Sequence, residues 1–204
     1  KITFQDLLEY ENVDFQGFRG DIYVKEAVIP EGASIIPKSQ FFGCRSLEKV
    51  CLTESVSVIE DYAFADCNVL KVWESMEKLS LKSVGISAFE NCYALEFISL
   101  PDSLTVIEGA AFADCVSVNK LIFSDTSLLN KIGDHAFRGC RNLKEVYLPD
   151  SVEYVGISAF RDCVSLEQIS VSEKIKDQPG IAELEKNCPN ARIRFREVNS
   201  VEKE

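Results

Sequence analysis

No apolar run in this sequence approaches the ~20 residues that a membrane-spanning helix needs. Histidine occurs once in 204 residues, as His135. A Ser-His or Cys-His catalyst needs that residue fixed beside its nucleophile. His135 instead falls in a variable slot, equivalent to Tyr62, Ser87, Ala110 and Ser158, where a solvent-facing side chain is expected. Close cysteine pairs are missing too. The nearest two of the eight, Cys44 and Cys51, are seven residues apart, unlike the Cys-x-x-Cys pairs of zinc sites. No glycine-rich phosphate loop, EF-hand loop or paired acid/base carboxylates can be found. Positive charge is scarce: the formal net charge is −11. Such a chain repels phosphate backbones and has no charge attraction to anionic lipid. These absences argue against nucleic acid, membrane insertion, metal, cofactor and catalysis.

What is present is a core. Apolar residues make up 46% of the chain, and its length suffices for one domain with a sizeable interior. The chain starts at Lys1 without a basic and then apolar leader. A processed leader and a piece of a longer protein both remain open.

The core is written as a repeat. Phe-x-x-Cys recurs at Phe41–Cys44, Phe64–Cys67, Phe89–Cys92, Phe112–Cys115, Phe137–Cys140 and Phe160–Cys163. The cysteines step by 23, 25, 23, 25 and 23 residues, and a further 25 reaches Cys188. Other columns keep this register. Leu47, Leu70, Leu95, Val118, Leu143 and Leu166 follow each cysteine by three, and Ala63, Ala88, Ala111, Ala136 and Ala159 precede each phenylalanine. Segments such as 95–100 alternate in and out like strands, and Pro101 or Pro149 ends them because proline cannot donate to a ladder. Gly133 and Gly156 suit a bend or a close backbone approach. The Ala-Phe-x-x-Cys piece is too short for a lone helix and reads as a turn of helix or 3₁₀. No unit can bury its own apolar residues, so the units must stack. The longer units carry their two extra residues between strand and alanine–phenylalanine, so alternate coils should bulge there.

The expected organisation is an N-terminal cap over 1–17, repeats of 23 and 25 residues over 18–180, and a capping repeat with a frayed tail over 181–204. The expected fold is an α/β repeat solenoid of about eight coils: an arc with a parallel inner β-sheet and short helical or 3₁₀ turns. Buried thiols acting as small hydrophobes fit the cysteine ladder better than disulfides or metal, because coils ~4.8 Å apart keep the side chains parallel. Cys51, outward-facing, should be the first to react. Arg19-Gly20-Asp21 spells a tripeptide often displayed by integrin ligands, but Asp21 occupies the cysteine slot of a first repeat, so coincidence within the repeat is the expected reading.

The unit at 136–156, Ala-Phe-x-x-Cys-x-x-Leu-x-x-Val-x-Leu-Pro-x-Ser-Val-x-x-Val-Gly, resembles the BspA-like leucine-rich repeat over roughly residues 18–195. It departs at Gln40, at Asp21 and at 74–82. The resemblance implies a bacterial protein, extracellular or on the cell surface, that adheres to proteins or cells, host surface proteins included. It does not fix the ligand.

If the leucine columns face inward, alternate strand residues face out. Val72, Phe97, Ile122 and Tyr147 then form a central apolar and aromatic stripe, with Lys49, Glu74, Lys120 and Glu145 around it. Apolar clusters rimmed by charge often mark contacts; side chains merely packing on one another is the alternative. The sequence thus suggests a non-enzymatic module binding an unidentified protein or glycan through this face, with a structural spacer as the other reading.

Overall fold

The computed structural model describes residues 2–3, 17–75 and 79–197, and at 2–3 and 72–75 the backbone only. The expected segments 1–17 and 181–204, and the divergent stretch 74–82, therefore lie partly outside the described residues.

Two parallel ribbons run along the stack. The longer strands are β1 Ile2–Thr3, β2 Glu26–Val28, β4 Lys49–Leu52, β6 Val72–Ser75, β8 Phe97–Ser99, β10 Lys120–Ile122, β12 Glu145–Tyr147, β14 Gln168–Ser172 and β15 Arg192–Arg196. The short ones are two residues each: β3 Ile35–Ile36, β5 Val58–Ile59, β7 Ser83–Val84, β9 Val106–Ile107, β11 Lys131–Ile132 and β13 Tyr154–Val155. Each of the six coils from β2 to β13 visits one strand of each ribbon, so like strands fall beside one another in parallel register. The short ribbon is a continuous six-stranded sheet. The long ribbon falls into three: β1-β2-β4-β6, β8-β10 and β12-β14-β15. Among the described residues no ladder joins β6 to β8 or β10 to β12.

The Ala-Phe-x-x-Cys piece makes the third side of the coil, and it is not helical. In one coil the N–H groups of Ala63, Ala65 and Cys67 donate to the carbonyls of Glu60, Tyr62 and Phe64, three overlapping turns. Tyr62 and Asp66, at the third position of the outer two, have φ of 57° and 60°, the left-handed backbone of a type II turn that a helix cannot contain. Those residues turn alternate N–H groups towards the next coil. Tyr62, Phe64 and Asp66 donate to Ile86, Ala88 and Glu90 at 2.9, 2.7 and 2.8 Å. The next coil repeats this through Ser87, Phe89 and Asn91. The left-handed position before the cysteine explains its composition: Gly20, Gly43, Asp66, Asn91, Asp114, Gly139 and Asp162 are the types that tolerate it at least cost.

The fold is thus the expected repeat solenoid with parallel strands, of about seven turns where about eight were expected with the degenerate ends counted, and it is a β-solenoid in which the helical turns of the expected α/β arc are minor. The α-helices among the described residues are short, α1 Pro179–Ala182 and α2 Leu184–Asn187, beside one 3₁₀ turn at Glu173–Ile175. The single inner sheet expected is replaced by two ribbons and a stacked turn, because a coil this small closes by three corners.

The interior is ladders, as the columns require. Phe18, Phe41, Phe64, Phe89, Phe112, Phe137 and Phe160 stack with centroids 5.1 to 5.5 Å apart and planes within 18°. All but Phe18 are buried, with Leu47, Leu95, Leu143 and Leu166 beside them. Coil height sets that spacing, and it suits parallel aromatic rings. Gly133 has an ordinary backbone; its constraint is close approach, since a Cβ there would sit 2.6 Å from the Glu108 carbonyl carbon and the Gly109 nitrogen.

The 25-residue coils place their extra pair between long and short strand. At 123–130 the bulge is pinned to the preceding coil. The Asp102 carboxylate accepts from the Ser124 and Thr126 hydroxyls, and the Leu128 N–H donates to the Asp102 carbonyl at 2.9 Å.

Truncating one ring of the stack, Phe112→Ala, should cost about 3–5 kcal/mol in urea unfolding. Gly133→Ala should cost about 1–3 kcal/mol, because neither neighbour is a flexible side chain. A loss below about 1 kcal/mol for both would contradict the packing described.

Candidate functional site

The outward face of the long ribbon is built by strand alternation. Val50, Ile98, Leu121, Val146 and Ile169 point into the core and are buried; their neighbours point away. Register pairs Glu26 with Lys49, Phe97 with Lys120, and Glu145 with Gln168 in one outward column. Ser99 pairs with Ile122, and Tyr147 with Ser170, in the next. Phe97 and Tyr147 are exposed, 41% and 54%, Ile122 is half-buried, and Lys120 and Glu145 are exposed. Lys49 is half-buried. Val72 lies in Phe97's column and Glu74 in Tyr147's, paired with Lys49 and Cys51; their side chains lie outside the described residues.

The expected stripe is therefore two half-columns. Phe97 sits beside Lys120, diagonal to Ile122. Tyr147 is one column over, on a strand that no ladder joins to β10. Its ring also has an unforeseen neighbour: the Arg196 guanidinium carbon stands 3.8 Å from the ring centroid. Arg196 donates through Nη1 to the Tyr147 hydroxyl and through Nη2 to the Leu148 carbonyl, and Nη2 lies 3.1 Å from Asp150 Oδ1. To reach β12 from β15 it must pass β14, where Ser170 and Ser172 are buried. Sequence reasoning missed Arg196 by treating 181–204 as a capping repeat with a frayed tail; the alternation Arg192-Ile193-Arg194-Phe195-Arg196 was the available signal for a full strand.

The remaining candidates have structural roles. Arg19 lies over the Phe42 ring at 4.8 Å, Gly20 N–H donates to the Phe42 carbonyl at 2.7 Å, and Asp21 Oδ1 accepts from the N–H groups of Tyr23 and Val24 at 2.6 and 3.0 Å. The tripeptide is thus one of the stacked turns. His135 is half-buried and left-handed, and its N–H donates to the Ile157 carbonyl at 3.0 Å. Its Nδ1 is buried without a hydrogen bond among the described residues. Among the described residues no group of three or more His, Cys, Asp and Glu is placed to hold a metal ion, and no helix is long and apolar enough to cross a membrane.

The cysteine column has a polar task besides packing. Each thiol in register donates to the carbonyl of the phenylalanine one coil back: Cys67 Sγ to Phe41 at 3.1 Å, Cys115 to Phe89 at 3.1 Å, Cys163 to Phe137 at 3.2 Å and Cys188 to Phe160 at 3.0 Å. The same carbonyl accepts the cysteine N–H of its own coil, as Phe64 does from Cys67. None of the eight cysteines is in a disulfide. Burial is the main cause that pushes the Cys44 thiol from its ordinary 9.0 to about 12 and Cys188 to about 11. It raises Cys67, Cys92, Cys115, Cys140 and Cys163 further.

The profile of the BspA type leucine rich repeat region matches the chain in six copies, over residues 11–126 and 73–182. The chain belongs to that family. A leucine-rich repeat protein from Bacteroides ovatus superposes with a TM-score of 0.61 at 22% identity, covering 90% of this chain and 63% of the other. The pneumococcal vaccine antigen PcpA superposes at 0.64 with 25% identity, covering 78% of this chain and 43% of PcpA. A leucine rich cell surface protein from Faecalibacterium prausnitzii does so at 0.54 with 21% identity, covering 91% and 63%. The chain thus spans about two thirds or less of these proteins' lengths. Among curated proteins none matches the chain.

The buried thiols bear on stability. Their folded-state pKa values lie above the unfolded value, so their contribution is fully present below about pH 9. It is lost as pH rises, because the unfolded chain then releases protons that the folded one keeps. The urea midpoint should fall steadily above about pH 9, and iodoacetamide at pH 8 should modify half-buried Cys51 well before Cys115 or Cys140. A flat midpoint to pH 10.5, or equal labelling of all eight thiols in the folded chain, would contradict this.

Proposed function

We propose that this chain is a non-enzymatic binding module, displayed at a bacterial cell surface, whose long-ribbon face engages a protein partner. The observation that carries the reading is the exposed Phe97, which stands in a parallel ladder beside Lys120 where the sheet could have presented a polar residue. Ile122 and Tyr147 extend the apolar area, and Lys49, Lys120 and Glu145 rim it, with Val72 and Glu74 in the same columns of the register. An aromatic centre with a charged rim is the anatomy of a protein contact. Repeat solenoids present such faces as one rigid surface made from successive coils. The surface location draws on the names of two fold relatives, a leucine rich cell surface protein and a vaccine antigen. The formal charge of −11 favours a basic partner and a salt-sensitive association rate. The competing reading, a spacer holding another domain away from the cell, needs no exposed aromatic.

A photo-crosslinking residue placed at 97 or 122 should give discrete adducts with surface proteins of neighbouring cells. The same residue at Tyr154, on the short ribbon, should not, and Phe97→Ala should reduce capture at 122 by about tenfold or more. Equal adducts from both ribbons would remove the reading, and no adducts from either would favour the spacer.

A further inference from the structure

The contact between Arg196 and Tyr147 is built like a recognition site that happens to be filled from within. Three features of the pocket together suit a guanidinium. The Tyr147 ring offers a π face at 3.8 Å, which suits a planar, weakly hydrated cation. The Asp150 carboxylate lies 3.1 Å from Nη2, and the Leu148 carbonyl accepts from that same nitrogen. Phe123, Asp125 and Pro149 complete a cleft of about 240 Å³ around it.

Asp150 is available for a structural reason. In the equivalent place two coils earlier, Asp102 is taken by Ser124 and Thr126 of the next coil. One coil after Asp150 stand Ser172 and Lys174, so a lysine replaces the second hydroxyl donor that Thr126 supplies to Asp102. The carboxylate is left to a cation arriving from elsewhere.

Arg196 fills the place imperfectly. Its Nε is buried with no hydrogen bond among the described residues, a cost for any desolvated donor. The residue is held in that pose by β15, whose one ladder among the described residues is with β14. Terminal elements of a stack open most readily. An arginine not tied to β15 could satisfy Nε as well as the two terminal nitrogens.

We infer that the cleft formed by Tyr147, Leu148 and Asp150 is a receptor for an arginine side chain of a partner peptide, which Arg196 occupies in the free chain and yields on binding. Charge favours this exchange, since the chain is strongly acidic and Asp125 adds a second carboxylate at the rim. The site does not require Phe97. Its failure would leave the reading above standing, and the reverse holds.

The test uses the full chain, wild type and Arg196→Ala, titrated calorimetrically with acetyl-Gly-Arg-Gly-amide. The controls are the citrulline peptide, planar without charge, and the lysine peptide, charged without the plane. The arginine peptide should bind Arg196→Ala about tenfold or more tighter than it binds wild type, and by a similar margin tighter than either control binds. Adding Asp150→Asn should abolish that preference. A folded Arg196→Ala protein that binds no arginine peptide, or binds the citrulline peptide equally, overturns the inference. Should Arg196→Ala lose the last coil, hydrogen exchange in the wild type decides. Millimolar arginine peptide should accelerate exchange at 192–196 more than the citrulline peptide does, and equal rates overturn it.

Discussion

Everything in this molecule depends on hydrogen bonds between coils. A single turn of 23 or 25 residues has too few apolar groups to enclose a core and no partner for most of its backbone N–H groups. Both needs are met only by a neighbour one coil height away. In the turn side of the coil this is done without regular strand, through residues such as Tyr62, Phe64 and Asp66, whose N–H groups all donate to the following coil. Stacking then fixes the spacing of every column, and rings 5.1 to 5.5 Å apart are its consequence.

That constraint explains residue choices that composition alone leaves arbitrary. Left-handed backbone before each cysteine of the six Phe-x-x-Cys turns restricts that column to glycine, aspartate and asparagine. The cysteine is small enough for the crowded corner and still offers a weak donor to a carbonyl already accepting one bond. Serine would be more polar and valine would give no donor. The bulge at 123–130 stays in register with its neighbour because Ser124 and Thr126 tie it back to Asp102.

Most of the core was legible in the sequence, because a ladder repeats its message in every coil: Phe-x-x-Cys is written six times with Cys188 a seventh cysteine in register, and the leucine column five times with Val118 in the remaining place. The turn geometry was not legible, since Ala-Phe-x-x-Cys has helical spacing and only φ reveals the left-handed flanks at Tyr62 and Asp66. Nor was the break of the long ribbon, which follows from coil-to-coil offsets that no single residue announces. Outward positions were partly legible. Alternation placed Phe97, Lys120 and Glu145 outside, but treating residues five and seven after the cysteine as one stripe merged two columns. Arg196 escaped because its partners, Tyr147 and Asp150, are 49 and 46 residues away, and nothing periodic marks a contact made once.

The most direct measurement of the stacking claim is native-state hydrogen exchange across the middle coils. If the turn-side bonds between coils hold the molecule together, the amides of Phe64, Phe89, Phe112 and Phe137 exchange among the slowest in the chain, with closely similar opening free energies. The amides of Phe97 and Glu145, beside the breaks in the long ribbon, then exchange faster. Phenylalanine amides exchanging as fast as those two would mean that the long ribbon, and not the stacked turns, carries the solenoid.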